Sequence, residues 1–155
     1  MATINTMLES IVAHMQGQPN CDVDVSNFPD DWENFFLAHV TGAMLVQFGS
    51  ESDSHSMDAG MMVQERQLRF GITLLFRNLN GHTGVYEYLD RLRLWLTGFK
   101  PDHCEAMRPV NSKFRSQDDG LWVYVSEFVC NSTNIQVMPP IGVANLAKVT
   151  YEDTP

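Results

Sequence analysis

The chain has 155 residues, with ten Lys and Arg against nineteen Asp and Glu, and a net charge of −9. Its size implies a single domain, its 44% hydrophobic content is enough to fill a core, and its acidity argues against gripping nucleic acid, which takes Lys and Arg to displace counterions. No run of about 18 apolar residues suggests a membrane span, and no basic segment followed by an apolar block suggests a secretory signal.

The first element is a helix over Ile4–Met15, with Thr3 as its cap and Ile4, Met7, Leu8, Ile11, Val12 and Met15 as its apolar stripe. Gly17 and Pro19 end it. Cys21–Val25 alternates as a short strand. Asp30 followed by Glu33 has the form of a capping box, which predicts a short helix through Phe35, Phe36 and His39, closed by Gly42. Ala43–Phe48 has little polar relief and reads as a strand buried on both faces. Residues 49–60 read as a long polar loop.

The chain is organised around residues 63–99. Leu68, Phe70, Ile72, Leu74 and Phe76 fall on every second position, so Val63–Asn78 reads as one long strand, with only Leu75 out of phase. Asn78-Leu79-Asn80-Gly81 supplies turn chemistry. A helix capped by Thr83 follows, with Val85, Tyr88, Leu89, Leu92, Trp95, Leu96 and Phe99 on one stripe, and Gly98 and Pro101 stop it. Strand and helix each expose one apolar side, so they pack together. Next come a loop over 100–109, a short strand at Val110–Phe114, and an Asp118-Asp119-Gly120 hairpin turn. Leu121–Cys130 is apolar on both faces and reads as an interior strand. From Asn131 the alternation fails and Pro139-Pro140 forbids regular continuation, so 131–155 reads as an extended, apolar arm beyond a domain over 1–130.

Sites of chemistry are scarce. His14, His39, His55, His82 and His103 show no zinc-binding spacing. Cys21, Cys104 and Cys130 have no CxxC pairing and read as free thiols of a reducing compartment. No phosphate-binding glycine motif is present, and Gly81-His82-Thr83-Gly84 reads as turn and cap. Asp22, Asp24, Asp30 and Asp31 lack the spacing of a calcium loop and read as a solvated surface. Trp32, Trp95 and Trp122 are assigned to the core, and the basic residues look scattered. No cofactor, metal or catalytic residue is expected. A small monomeric enzyme or ligand-binding domain would have only the His103–Cys104 loop to work with.

What a monomer leaves unexplained is apolar surface. Leu94 falls on the polar side of the main helix, Met61 and Met62 flank the long loop, and the arm carries Ile135, Val137, Met138, Ile141, Val143 and Leu146. Together they point to protein–protein contact. The arm could instead fold back and cover an edge of its own sheet.

Several short segments then appear in a recognisable order. They are Phe28-Pro29-Asp30-Asp31, the Gly42-Ala43-Met44-Leu45-Val46 strand, Gln64-Glu65-Arg66 at the start of the central strand, Leu96-Thr97-Gly98-Phe99-Lys100-Pro101, and Asp118-Asp119-Gly120-Leu121-Trp122. Over residues 1–130 the chain resembles a family of small tail proteins of Mu-like phages and prophages that are similar to tail terminators. The resemblance implies an α+β fold, with a mixed or antiparallel sheet of about four to five strands and two main helices packed on it. It also implies a non-enzymatic virion protein of the tail–neck junction, assembled in the host bacterial cytoplasm. Such a protein forms a homo-hexameric ring on the head-proximal end of the tail. Its partners would be the tail tube protein, the tail sheath protein and the head-completion or connector proteins, with DNA only in transit and no membrane. A head-completion or connector ring is the neighbouring alternative. Within such a ring, the segment carrying Glu51, Asp53 and Asp58 is expected to face the lumen or an adjoining subunit.

Overall fold

The computed structural model describes residues 3–54, 57–58 and 60–135. In chain order the elements are α1 (Ile4–Gln16), β1 (Asp24–Asn27), a 3-10 turn (Trp32–Asn34), β2 (Gly42–Asp53), β3 (Met57–Asp58), β4 (Met61–Phe76), α2 (Val85–Leu96), β5 (Arg108–Asp118) and β6 (Leu121–Ile135). The main sheet runs β1-β2-β4-β6-β5, and β3 pairs with β4 off this path. β1 is parallel to β2 and every other pairing is antiparallel, so the sheet is mixed. The expected α+β class and its two main helices are present.

Both helices lie on one face of the sheet. α1 starts at a reciprocal cap, with the Thr3 hydroxyl accepting from Thr6 N at 3.1 Å and the Thr6 hydroxyl accepting from Thr3 N at 3.0 Å. Its buried side chains Met7, Ile11 and Met15 meet Val85, Tyr88, Leu92, Trp95 and Leu96 of α2 over the alternate residues of β4. Leu68, Phe70, Ile72, Leu74 and Phe76 are all fully buried there, as their two-residue period requires. His14 stacks on Phe99 at 3.9 Å and its Nε2 meets the Trp95 carbonyl at 2.9 Å, which fixes the two helices side by side.

Several expectations shift. The main strand is Met61–Phe76, two residues earlier at both ends than Val63–Asn78. The residue capping α2 is Gly84; the Thr83 hydroxyl instead accepts from the Asn78 side-chain amide at 3.0 Å. β1 begins at Asp24, not Cys21. β5 is Arg108–Asp118, longer than the short strand expected at Val110–Phe114. The hairpin turn is as expected: Asp119 and Gly120 have φ of 50° and 76°, and Asp118 pairs with Leu121 across them.

Three departures change the architecture. The helix expected through Phe35, Phe36 and His39 is only a 3-10 turn, because neither Asp30 nor Glu33 caps it. The Asp31 carboxylate accepts from the Asn34 side chain at 2.8 Å, and Phe35 is already extended. What organises this segment is aromatic stacking, Phe28 on Trp32 at 4.9 Å and Trp32 on Phe35 at 5.6 Å. Gly42, expected as a helix stop, opens β2. The polar stretch after Phe48 is not a loop up to Asp53. It continues β2 past a bulge at Phe48/Ser50, and Ser50–Asp53 pair with Arg69–Arg66 of β4. The end of β2, the start of β4 and the end of β6 form a three-stranded tongue with β4 in the middle, and β3 prolongs it through Met57↔Met62 and Asp58↔Met61. Third, Asn131–Ile135 is not arm but the end of β6, paired with Gln67–Val63 of β4. The rest of the expected arm, including Val137, Met138, Ile141, Val143 and Leu146, lies outside the described residues.

Candidate assembly surfaces

Alternation along β4 and β6 leaves a second sheet face that no helix among the described residues covers. It carries Gln67, Arg69, Gly71, Thr73 and Leu75 from β4, with Val123, Val125, Glu127 and Val129 beside them on β6. The Phe28–Val40 segment crosses part of this face as a flap. Arg77 holds the flap down by donating to the carbonyls of Leu37 and His39 at 3.2 and 3.4 Å. Leu37 of the flap is buried, as are Ala43, Leu45 and Leu75 of the sheet, which accounts for the apolar Leu75 in an otherwise alternating strand.

Between flap and β5 the face is open. A cleft of about 430 Å³ is lined by Phe28 and Trp32 on one side, Arg115 and Ser116 on the other, and Thr73, Val123 and Val125. A second hollow of about 270 Å³ adjoins it, between Phe35, Leu37 and the Asp118-Asp119 turn. Trp32, expected in the core, is 40% exposed as a wall of both. Further along, Asn111, Lys113, Arg115, Val125 and Glu127 line a smaller hollow, where the Asn111 side-chain oxygen is buried without a hydrogen-bond donor. Strand pairing therefore gathers basic residues that looked scattered. Arg69 and Arg108 both flank Val129, and Lys113 and Arg115 follow along the outer strand. Arg69 meets Glu127 at 3.5 Å.

The tongue holds the expected acidic residues. Arg66 donates to Glu51 at 2.8 Å, and that bond holds the Glu51 carboxyl below the usual range. Asp53 lies beside the same carboxylate and is pushed the other way, because hydrogen bonding and repulsion between the two acids favour its proton. Asp58 lies in β3, opposite Met61. Met61 is half-buried and Met62 more exposed. Leu94 is 78% exposed on the outer side of α2, and Ile135 is 54% exposed at the end of β6. Leu94 and the tongue residues belong to different surfaces, so these residues do not form one site.

In the His103–Cys104 loop the two side chains turn to other partners than each other. The Cys104 thiol donates to the Asp102 carbonyl at 3.4 Å, and the nearest charge to His103 is Asp102 at 3.6 Å. Hydrogen bonding with the Cys130 thiol lowers Cys104, while the same contact and burial raise Cys130 far above its ordinary value. Among the described residues no group of three His, Cys, Asp or Glu side chains is arranged to hold a metal, and no helix is long and apolar enough to cross a membrane.

A model of the Gp37 protein family matches residues 11–153. The chain belongs to that family. Among solved structures, this Gp37-family chain matches a chain in the virion of a native gene transfer agent particle, with a TM-score of 0.59 over 86% of this chain and 98% of that one. Identity is 10%, so the likeness is one of fold. No curated protein matches the chain. Sequence reasoning missed both the flap and the basic edge. The edge had one usable signal: no Lys or Arg occurs before Arg66.

Proposed function

We propose that this chain is a structural component of a phage-like virion, and specifically a tail terminator. Copies of it close a ring, six in number, on the head-proximal end of the tail. The observation that carries this reading is the match of its fold to nearly the whole of a virion chain. Membership of the Gp37 family is consistent with it. The surfaces suit assembly: an open sheet face with an aromatic wall, the tongue, and exposed Leu94.

The mechanism involves no covalent step. A heterologous contact repeated around an axis closes after a fixed number of copies and leaves no free site for further growth. Bound to the last ring of tube subunits, such a ring ends the tube. Its opposite side offers a new surface to the proteins that join the head, and in a contractile tail its outer rim meets the last sheath ring. A net charge of −9 per copy makes the assembly strongly negative, so DNA passes through without binding its wall.

The test is to add the purified chain to tail tubes assembled without it, and to image them. Rings at one end of each tube, with further tube growth stopped, support the reading. Rings that bind isolated head-side portals and leave tubes bare would move the chain to a head-completion or connector role. Binding to neither would refute the virion assignment.

A further inference from the structure

The charge of this chain is divided between its two parts. Residues 1–65 carry ten Asp and Glu and no Lys or Arg, whereas residues 66–155 carry ten Lys and Arg and nine Asp and Glu. Sheet order places the two groups on different elements. β1 forms one edge of the sheet and β5 the opposite edge, four strands away. The flap leads from β1 over the open face, where Trp32 lines the same cleft as Arg115. Asp24 is exposed on β1, and Asp30, Asp31 and Glu33 are exposed on the flap. Arg108, Lys113 and Arg115 are exposed on β5, which has no acidic residue until Asp118 at its hairpin end. Among the described residues, no ion pair within the chain takes up these three cations, or Asp24, Asp30 or Glu33.

The two edges also differ as strands. β5 is eleven residues long, nearly all exposed, and among the described residues pairs on one side only. Such an edge invites a partner. β1 has four residues, and the Gln16 side chain donates to its Val25 carbonyl at 2.8 Å. That edge therefore offers side chains more than free backbone. A contact of like with like would set Arg108, Lys113 and Arg115 against their own copies, and a symmetric two-fold pairing through β5 is disfavoured. A head-to-tail contact sets them against acids.

We infer that the β5 edge of one copy docks on the acidic surface of β1 and the flap of the next, a second copy of this chain being the partner. Opposite charge sets the order and direction of subunits, so the contact repeats in one sense and can close a ring. This inference rests on the ring-forming reading above and names the two surfaces that would make the ring.

Two charge-reversed variants test it, both altered at exposed positions where a change leaves folding nearly untouched. One carries Lys113→Glu with Arg115→Glu, so both of its edges are acidic. The other carries Asp24→Lys, Asp30→Lys and Glu33→Lys, which leaves Asp31 as the one acid there, so both are basic. Mass in solution is measured for the wild type, for each variant alone, and for an equimolar mixture. The expected result is a wild-type ring and variants whose midpoint for assembly rises at least about tenfold, because like charges now face each other. The mixture should then form rings of alternating copies. If the wild type forms a ring and the variants do so equally well, this interface is wrong and the ring reading stands. If the variants fail and the mixture does not restore assembly, the loss is not pairwise and the interface is again wrong. A wild type that stays monomeric removes the ring reading, and the interface with it.

Discussion

Replacing Gly42 with Ala separates two views of the same residue. As a helix stop in open space, position 42 would accept a methyl group freely. In the structure Gly42 opens β2 opposite Phe76, and an added Cβ would lie 2.6 Å from the Leu75 carbonyl oxygen and 2.7–2.9 Å from the Phe76 ring. Neither can retreat easily. The carbonyl belongs to the central strand, and the Phe76 ring is fully buried against Tyr88 at 4.8 Å. The backbone angle at Gly42 is not in the left-handed region, so the whole effect is steric. Forcing one methyl into such a site destabilises by about 1–3 kcal/mol. For 155 residues, an unfolding entropy of about 2.1 cal/mol/K per residue makes that a fall in Tm of roughly 3–9 °C. Gly17→Ala is the control: its Cβ would meet nothing closer than 3.4 Å and its φ of −79° suits Ala. There a stabilisation of about 0.4–1 kcal/mol is expected. Thermal unfolding followed by circular dichroism reads both. A Gly42→Ala variant as stable as the wild type would refute the placement of β2 against β4.

Other predictions concern the surface. Leu94→Asp should change stability by less than about 0.5 kcal/mol, because the side chain is exposed; if the outer side of α2 is a contact in the assembly, tube capping should weaken with the fold intact. The Glu51 carboxyl is depressed by Arg66, so its contribution is present above its unfolded value near pH 4 and is lost as pH falls through the lower folded value. That exposed pair is worth about 0.2–1 kcal/mol. Proteolysis of the tongue should therefore quicken below pH 4, and in Glu51→Gln it should be as fast at neutral pH. Thiol labelling followed by mass spectrometry should modify Cys104 first and Cys130 last, since one thiol is lowered and the other raised and buried. Equal rates would contradict that order. Gly120→Ala should destabilise the β5–β6 hairpin by about 1–2 kcal/mol, because Gly120 holds φ of 76°.

The central part of the fold was legible because its physics is local. β4 alternates since one of its faces meets two helices, and α2 keeps its stripe for the same reason. The flap was not legible. Asp30 and Glu33 imitate a helix start, and only stacking among Phe28, Trp32 and Phe35 over the sheet shows that no helix forms. The tongue hid because Ser50, Glu51, Ser52 and Asp53 are poor strand formers; they are held by pairing with β4, beyond the reach of local propensity. β6 continues through Asn131–Ile135 for the same reason. Of the candidate residues, Leu94 could be placed on an outer surface from helix period alone, and it is there. The basic edge needed three strands in register, since Arg69 and Arg108 are far apart in sequence and come together only across Val129 of β6.

The central claim is that copies of this chain close into a ring, and its mass in solution tests that most directly. Light scattering on the purified chain should give a species of six 17.6 kDa subunits, about 106 kDa, independent of concentration above its assembly midpoint. A 17.6 kDa monomer at every concentration, or mass that grows without limit as the sample is concentrated, would contradict it.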